Sequence, residues 1–131
     1  MIENRYWLPA ALLLALVTLA IPGAYARDPD AAATDAYLAQ AESAMQAGDY
    51  REAAAEYRKA AEAGASAATA GIATRLAFAY RFNDESLRAA KRWVKLDPDS
   101  DEARLYLAQT YFRLGDIGNA RRQYARIIES S

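Results

Sequence analysis

Chemistry in a protein needs side chains that donate, accept or attack at fixed spacing, and this chain is poor in them. It has no histidine and no cysteine in 131 residues. Thiol nucleophiles, disulfides, the imidazole base and the usual zinc ligands are therefore excluded. Carboxylates, lysines, arginines and tyrosines remain. The densest acidic group is Asp97, Asp99, Asp101 and Glu102. It alternates like a calcium loop but lacks the central glycine and the distal glutamate, and Pro98 fits a helix boundary better. The densest basic group is Arg88, Lys91, Arg92 and Lys95, interleaved with alanines and a tryptophan. That is the pattern of a solvated helix face, the alternative being a surface for an acidic partner or lipid headgroups. No paired-carboxylate, phosphate-loop or nucleophile motif is present. The expectation is a chain with no catalytic residue, no metal site and no cofactor.

Formal net charge is -1, which argues against a general nucleic-acid binder, since that needs a basic excess. Charge is uneven: Arg27 to Glu62 is acidic, and Arg75 to Arg126 carries more arginine and lysine than acid. Hydrophobic content is 53%, much of it alanine, so a core must come from close helix approach with few large side chains.

The elements that would position any surface are written twice. Gly48-Asp49-Tyr50 leads to Ala53 and Tyr57, and 67 residues on Gly115-Asp116-Ile117 leads to Ala120 and Tyr124. Twice about 34 residues is a repeat signal, read as a stack of helical hairpins. From Thr34, Tyr37, Leu38, Ala41, Ala44 and Met45 fall at helical spacing and Gly48 ends the helix. Asp49 with Glu52 forms a capping-box pair for a second helix, which Gly64 stops. The middle unit runs from Ala67 to Arg81 on Ala73, Leu76, Ala77 and Tyr80, with Gly71 as an internal weak point. Asn83 or Asp84 caps its second helix, which carries Leu87, Ala90, Trp93 and Val94 and ends before Pro98. In the last unit Asp99 pairs with Glu102 as a capping box, Leu107, Ala108, Tyr111 and Leu114 form the stripe, and Ile117, Ala120, Tyr124, Ile127 and Ile128 line the final helix.

The N-terminus is read as an address. Residues 6–26 carry no charge, Leu8 to Ile21 is the apolar run, and Pro22-Gly23 precedes the small-x-small Ala24-Tyr25-Ala26. This order is that of a secretory signal peptide over 1–26, with a polar leader over 27–33. The alternative is an uncleaved transmembrane anchor over 8–21. An exported chain without cysteine fits the bacterial periplasm or envelope, with inner-membrane anchoring as the alternative.

The units resemble tetratricopeptide repeats. In the third, 101–131, Leu107-Ala108 stands where that family favours Leu-Gly, Tyr111 at its mid-helix Tyr, Ala120 at its near-invariant Ala and Tyr124 at its large aromatic. Leu96-Asp97-Pro98 is similar to the Leu-Asp-Pro that closes a unit. The first unit, 34–66, has Tyr37 for the leading Trp, then Gly48-Asp49-Tyr50, Ala53, Tyr57 and Ala60. The second, 67–100, departs most: Trp93 replaces a small residue and Arg81 replaces the turn glycine. The resemblance implies an all-α fold, helical hairpins stacked as a right-handed α-solenoid, with a groove lined by the first helix of each unit.

That groove would bind a protein or peptide. Leu38, Glu42 and Gln46, then Arg75 and Phe78, then Leu105, Tyr106, Gln109, Phe112 and Arg113 fall on it, with Phe78 and Phe112 as apolar anchors and Arg75, Gln109 and Arg113 as polar readers. The set with which some family members grip a chaperone's carboxyl terminus is absent, its places being held by Leu38, Glu42, Ile72, Glu102 and Tyr106. Family arrays end in a capping helix with a polar outer face. Leu114, Ile117 and Ile128 instead leave an apolar end, read as a junction to further repeats or a surface for a partner or self-association. Contact with a membrane would be through the N-terminal segment alone. The function expected is a non-catalytic scaffold; the alternatives are a membrane-anchored assembly factor or the interaction module of a larger enzyme or secretion machine.

Overall fold

The computed structural model describes residues 29–131, so the signal or anchor reading of the N-terminus lies outside the described residues. The described residues form six helices and no strand: α1 (Pro29–Ala47), α2 (Tyr50–Ala63), α3 (Ala67–Ala79), α4 (Asn83–Leu96), α5 (Asp101–Arg113) and α6 (Ile117–Ser130). None is long and apolar enough to cross a membrane. Each helix packs on the next, with lighter contacts between α2 and α4 and between α3 and α5. The second helices begin at Tyr50, Asn83 and Ile117, 33 and then 34 residues apart. The architecture is all-α, helical hairpins stacked in series as a solenoid.

The turns show why the pairs repeat. Gly48 and Gly115 hold φ of 75° and 78°, and the middle turn holds Arg81 at 61°. All three hairpins thus turn through one left-handed residue, a conformation that costs a side-chain-bearing residue roughly 1–2 kcal/mol. Asp49 and Asp116 cap α2 and α6, each side chain accepting from the backbone N–H three residues on. Hydrogen bonds from the Asn119 side chain and backbone hold the Asp116 carboxyl below its ordinary value.

Three boundaries differ from the sequence reading. Helix α1 begins at Pro29, so Pro29 to Ala33 is helical; proline's missing N–H and fixed φ suit a first helical position. The cap of α5 is Ser100, whose side chain accepts from Ala103 N–H, one residue beyond the expected Asp99. Phe82 stands at the N-cap of α4 with no side-chain cap bond, in place of Asn83 or Asp84. Ring stacking organises this turn instead: Tyr80 lies 4.4 Å from Tyr50, Phe82 lies 6.1 Å from Tyr80, and Arg51 sits 4.2 Å over Phe82.

The core is built from alanine. Among the described residues fourteen of the sixteen buried hydrophobic ones are alanine, and Trp93 and Leu107 are the two with large side chains. Alanine lets helix axes approach, but each one removes little apolar surface from water. The weight therefore falls on Trp93, at the centre of a cluster of Ala61, Ala70 and Ala103 with Ala67, Val94, Leu96 and Tyr106 around it. Its ring fits because α3 carries glycine opposite: a Cβ on Gly71 would lie 3.1 and 3.2 Å from two ring carbons of Trp93. The weak point in α3 and the oversized residue in α4 are two halves of one contact.

Polar links tie alternate helices. Arg58 on α2 pairs with Glu62 and reaches Glu85 on α4, and Arg92 donates to the Ala61 carbonyl at 2.9 Å. Arg92 thus turns inward, while Arg88, Lys91 and Lys95 of the same basic block are exposed. Between α4 and α5 the buried Ser86 and Thr110 hydroxyls share a hydrogen bond of 2.9 Å, and Thr110 also donates to the Tyr106 carbonyl.

Candidate partner-binding face

The first helix of each pair carries equivalent residues at one repeat interval. Glu42, Arg75 and Gln109 form one row, Met45, Phe78 and Phe112 a second, and Leu38, Gly71 and Leu105 a third. Gly71 of these rows is buried against Trp93 of α4, and the exposed members are Glu42, Arg75, Met45, Phe112 and Leu105.

Several of the expected readers are held by one another. The Arg75 guanidinium donates through Nε and Nη2 to Glu102 Oε1 at 2.9 and 2.8 Å and lies 4.7 Å over the Trp93 ring. Trp93 in turn meets Tyr106 at 6.0 Å, and Tyr106 meets Phe78 edge-on at 5.1 Å. Arg113 lies 3.4 Å over the Phe78 ring and donates through Nη1 to the Phe78 carbonyl at 2.7 Å. Arg75, Phe78, Tyr106 and Arg113 therefore form one chain across α3 and α5. Their first role in this arrangement is to close the seam over Trp93. Glu102, not read from sequence as a partner of Arg75, is the counter-charge that fixes it.

The remaining candidates are disposed differently. Glu42 and Gln46 are exposed on α1, and Gln109 is half-buried on α5. Phe112 is 62% exposed, and Met45, Ile72 and Leu105 are exposed as well. These four large apolar side chains are distributed over α1, α3 and α5. Met45, read from sequence as part of the packing stripe of the first helix, and Ile72, named only among the chaperone-set positions, are both exposed; each lies one repeat or more from a residue of the face, Met45 from Phe112 and Ile72 from Tyr106. A second group of exposed apolar side chains, Leu114, Ile117, Tyr124 and Ile128, lies on the last turn and α6.

Among the described residues no cluster of carboxylates could hold a metal ion. One open cleft of about 520 Å³ lies between the start of α5 and the end of α6, lined by Asp99, Asp101, Arg104, Arg126 and Glu129, and shares no residue with these rows. What the arrangement offers is contact: apolar side chains in rows, flanked by amides and guanidinium groups. The molecule is a helical-hairpin solenoid with one such face. No known family model matches the chain, and no curated protein is significantly similar to it.

Proposed function

We propose that this chain is a non-catalytic, tetratricopeptide-type scaffold of the bacterial cell envelope that binds a protein or peptide segment along α1, α3 and α5. One observation carries the reading. In a core so closed that alanines are fully buried, Phe112 stays 62% exposed, in the company of Met45, Ile72 and Leu105. Large apolar side chains gathered on one side of a monomer mark interaction surfaces. An aromatic ring with open flanks is the residue type that dominates such interfaces.

Peptides selected from a displayed random library against the full-length protein test this. The Leu105→Ala/Phe112→Ala variant is expected to bind them about tenfold or more weakly, as loss of two apolar anchors predicts. Full affinity in that variant, with an unchanged circular dichroism spectrum, would remove the face from consideration. The export half of the proposal rests on the N-terminal sequence pattern. Sequencing of the mature protein is expected to begin at Arg27; a start at Met1 would favour the anchored assembly factor instead.

A further inference from the structure

One row of α6 is open to solvent where the same rows of α2 and α4 are covered. Ile117, Arg121, Tyr124 and Ile128 are spaced by four, three and four residues, so they stand on one face of the helix. All four are exposed, Ile128 to 75% and Ile117 to 55%. The places one repeat earlier hold Asn83, Leu87, Ala90 and Val94 on α4, and those two repeats earlier hold Tyr50, Ala54, Tyr57 and Ala61 on α2. All of these are buried or half-buried, and α2 and α4 are each packed by the helix that follows. None of them carries a charge.

Arg121 therefore decides what the row of α6 accepts. A helix seated on α6 as α3 is on α2 would bury the guanidinium in an apolar seam, which is costly unless it meets a partner there. The row itself supplies that partner when it faces a second copy. Its spacing reads the same from either end. Two antiparallel copies thus bring Ile117 opposite Ile128 of the second copy and, in the same register, Arg121 opposite Tyr124 of the second copy. A two-fold contact has this self-complementary form, in which one residue meets another and is met by it in return. A guanidinium over an aromatic ring is an attractive pairing, and the chain already uses it: Arg113 lies 3.4 Å over Phe78 and Arg75 lies 4.7 Å over Trp93. Arg121 has no hydrogen-bond or ion-pair partner among the described residues.

We propose that α6 pairs antiparallel with α6 of a second copy about a two-fold axis, Ile117 packing on Ile128 and Arg121 on Tyr124 from each side. The inference does not rest on the scaffold reading, since it uses no side chain of α1, α3 or α5; a pair would carry two of the faces described above. Two such rows bury on the order of 1,000 Å², the lower end of specific interfaces, so the pair is a reversible one in the micromolar range.

Single cysteines read the register, because the chain has none of its own. The full-length Ile117→Cys and Ile128→Cys variants are mixed well above the micromolar range and treated with a short bismaleimide. The mixture is expected to give a cross-linked dimer and each variant alone is not, since like positions then lie about 16 Å apart along the helix. Arg121→Glu, added to both variants, is expected to lower the yield about fivefold or more by removing both cation–ring contacts. As Arg121 is exposed, that change is expected to leave the thermal midpoint almost unmoved, which separates lost pairing from lost fold. Cross-linking of each variant alone as readily as of the mixture would mean parallel or unspecific association, the apolar run from Leu8 to Ile21 included, and overturns the inference. So does a yield that Arg121→Glu leaves unchanged, because the register that pairs Ile117 with Ile128 also seats Arg121 on Tyr124. Absence of a dimer in the mixture, with the circular dichroism spectrum of the parent, overturns it as well and leaves the row to another occupant.

Discussion

Trp93→Ala is expected to destabilise the array by about 3–5 kcal/mol, the cost of emptying a large buried aromatic site. Small domains are stable by only about 5–15 kcal/mol, so the variant should lose much of its margin. The expectation follows from how little else is large. Among the described residues every buried hydrophobic one apart from Trp93 and Leu107 is alanine, and Trp93 packs with Ala61 of α2, Ala70 of α3 and Ala103 of α5. Removing it also withdraws the surface on which Arg75 and Tyr106 rest, so the α3–α5 seam loosens with the core. Urea unfolding followed by far-ultraviolet circular dichroism measures the loss.

A companion substitution distinguishes this wedge from ordinary core packing. Gly71→Ala alone should destabilise by about 1–3 kcal/mol, since its Cβ overpacks the site. It would meet ring carbons of Trp93 at 3.1 and 3.2 Å and Arg75 Nη1 at 3.1 Å. In the Trp93→Ala background the same change fills space and adds helix propensity, about 1 kcal/mol in its favour. The sign of Gly71→Ala should therefore reverse between the two backgrounds. Identical effects in both would mean that glycine and tryptophan are not coupled, and the wedge would have to be abandoned.

How much of this was legible before the structure depends on which helix is read. The faces of α2, α4 and α6 stand out in sequence because arginines, lysines and glutamates fall opposite small apolar residues. Helices α1 and α3 are alanine-rich and α5 mixes charges around its apolar positions, so their faces show little contrast, and boundaries slipped by a residue or more at α1, α4 and α5. The turn glycines Gly48 and Gly115 declared their conformation, whereas Arg81 did not, because an arginine gives no local sign of positive φ. The rows of the face followed from the repeat interval. The occupancy of that face did not, since Arg75 meets Glu102 27 residues away and Arg113 meets Phe78 35 residues away. Such pairings are set by how units stack, which periodicity within one helix does not encode.

Stacking is also what the second large effect tests. Arg58→Met is expected to cost about 2–3 kcal/mol, somewhat under the usual value for breaking a fully buried ion pair. The Arg58 and Glu85 side chains retain 12% and 11% exposure, so water screens them only in part. Burial pulls the Arg58 guanidinium down, but hydrogen bonds and charge from Glu62 and Glu85 more than offset this and hold it above its ordinary value. Methionine keeps most of the volume and leaves Glu85 with no counter-charge in a nearly closed site. Replacing both partners, Arg58→Met with Glu85→Leu, should recover most of the loss, as apolar pairs of similar volume commonly match buried ion pairs. A thermal-melt cycle over the parent, both single variants and the double variant reads the expectation. A double variant as unstable as Arg58→Met would show that stability depends on the arginine itself rather than on neutralising Glu85.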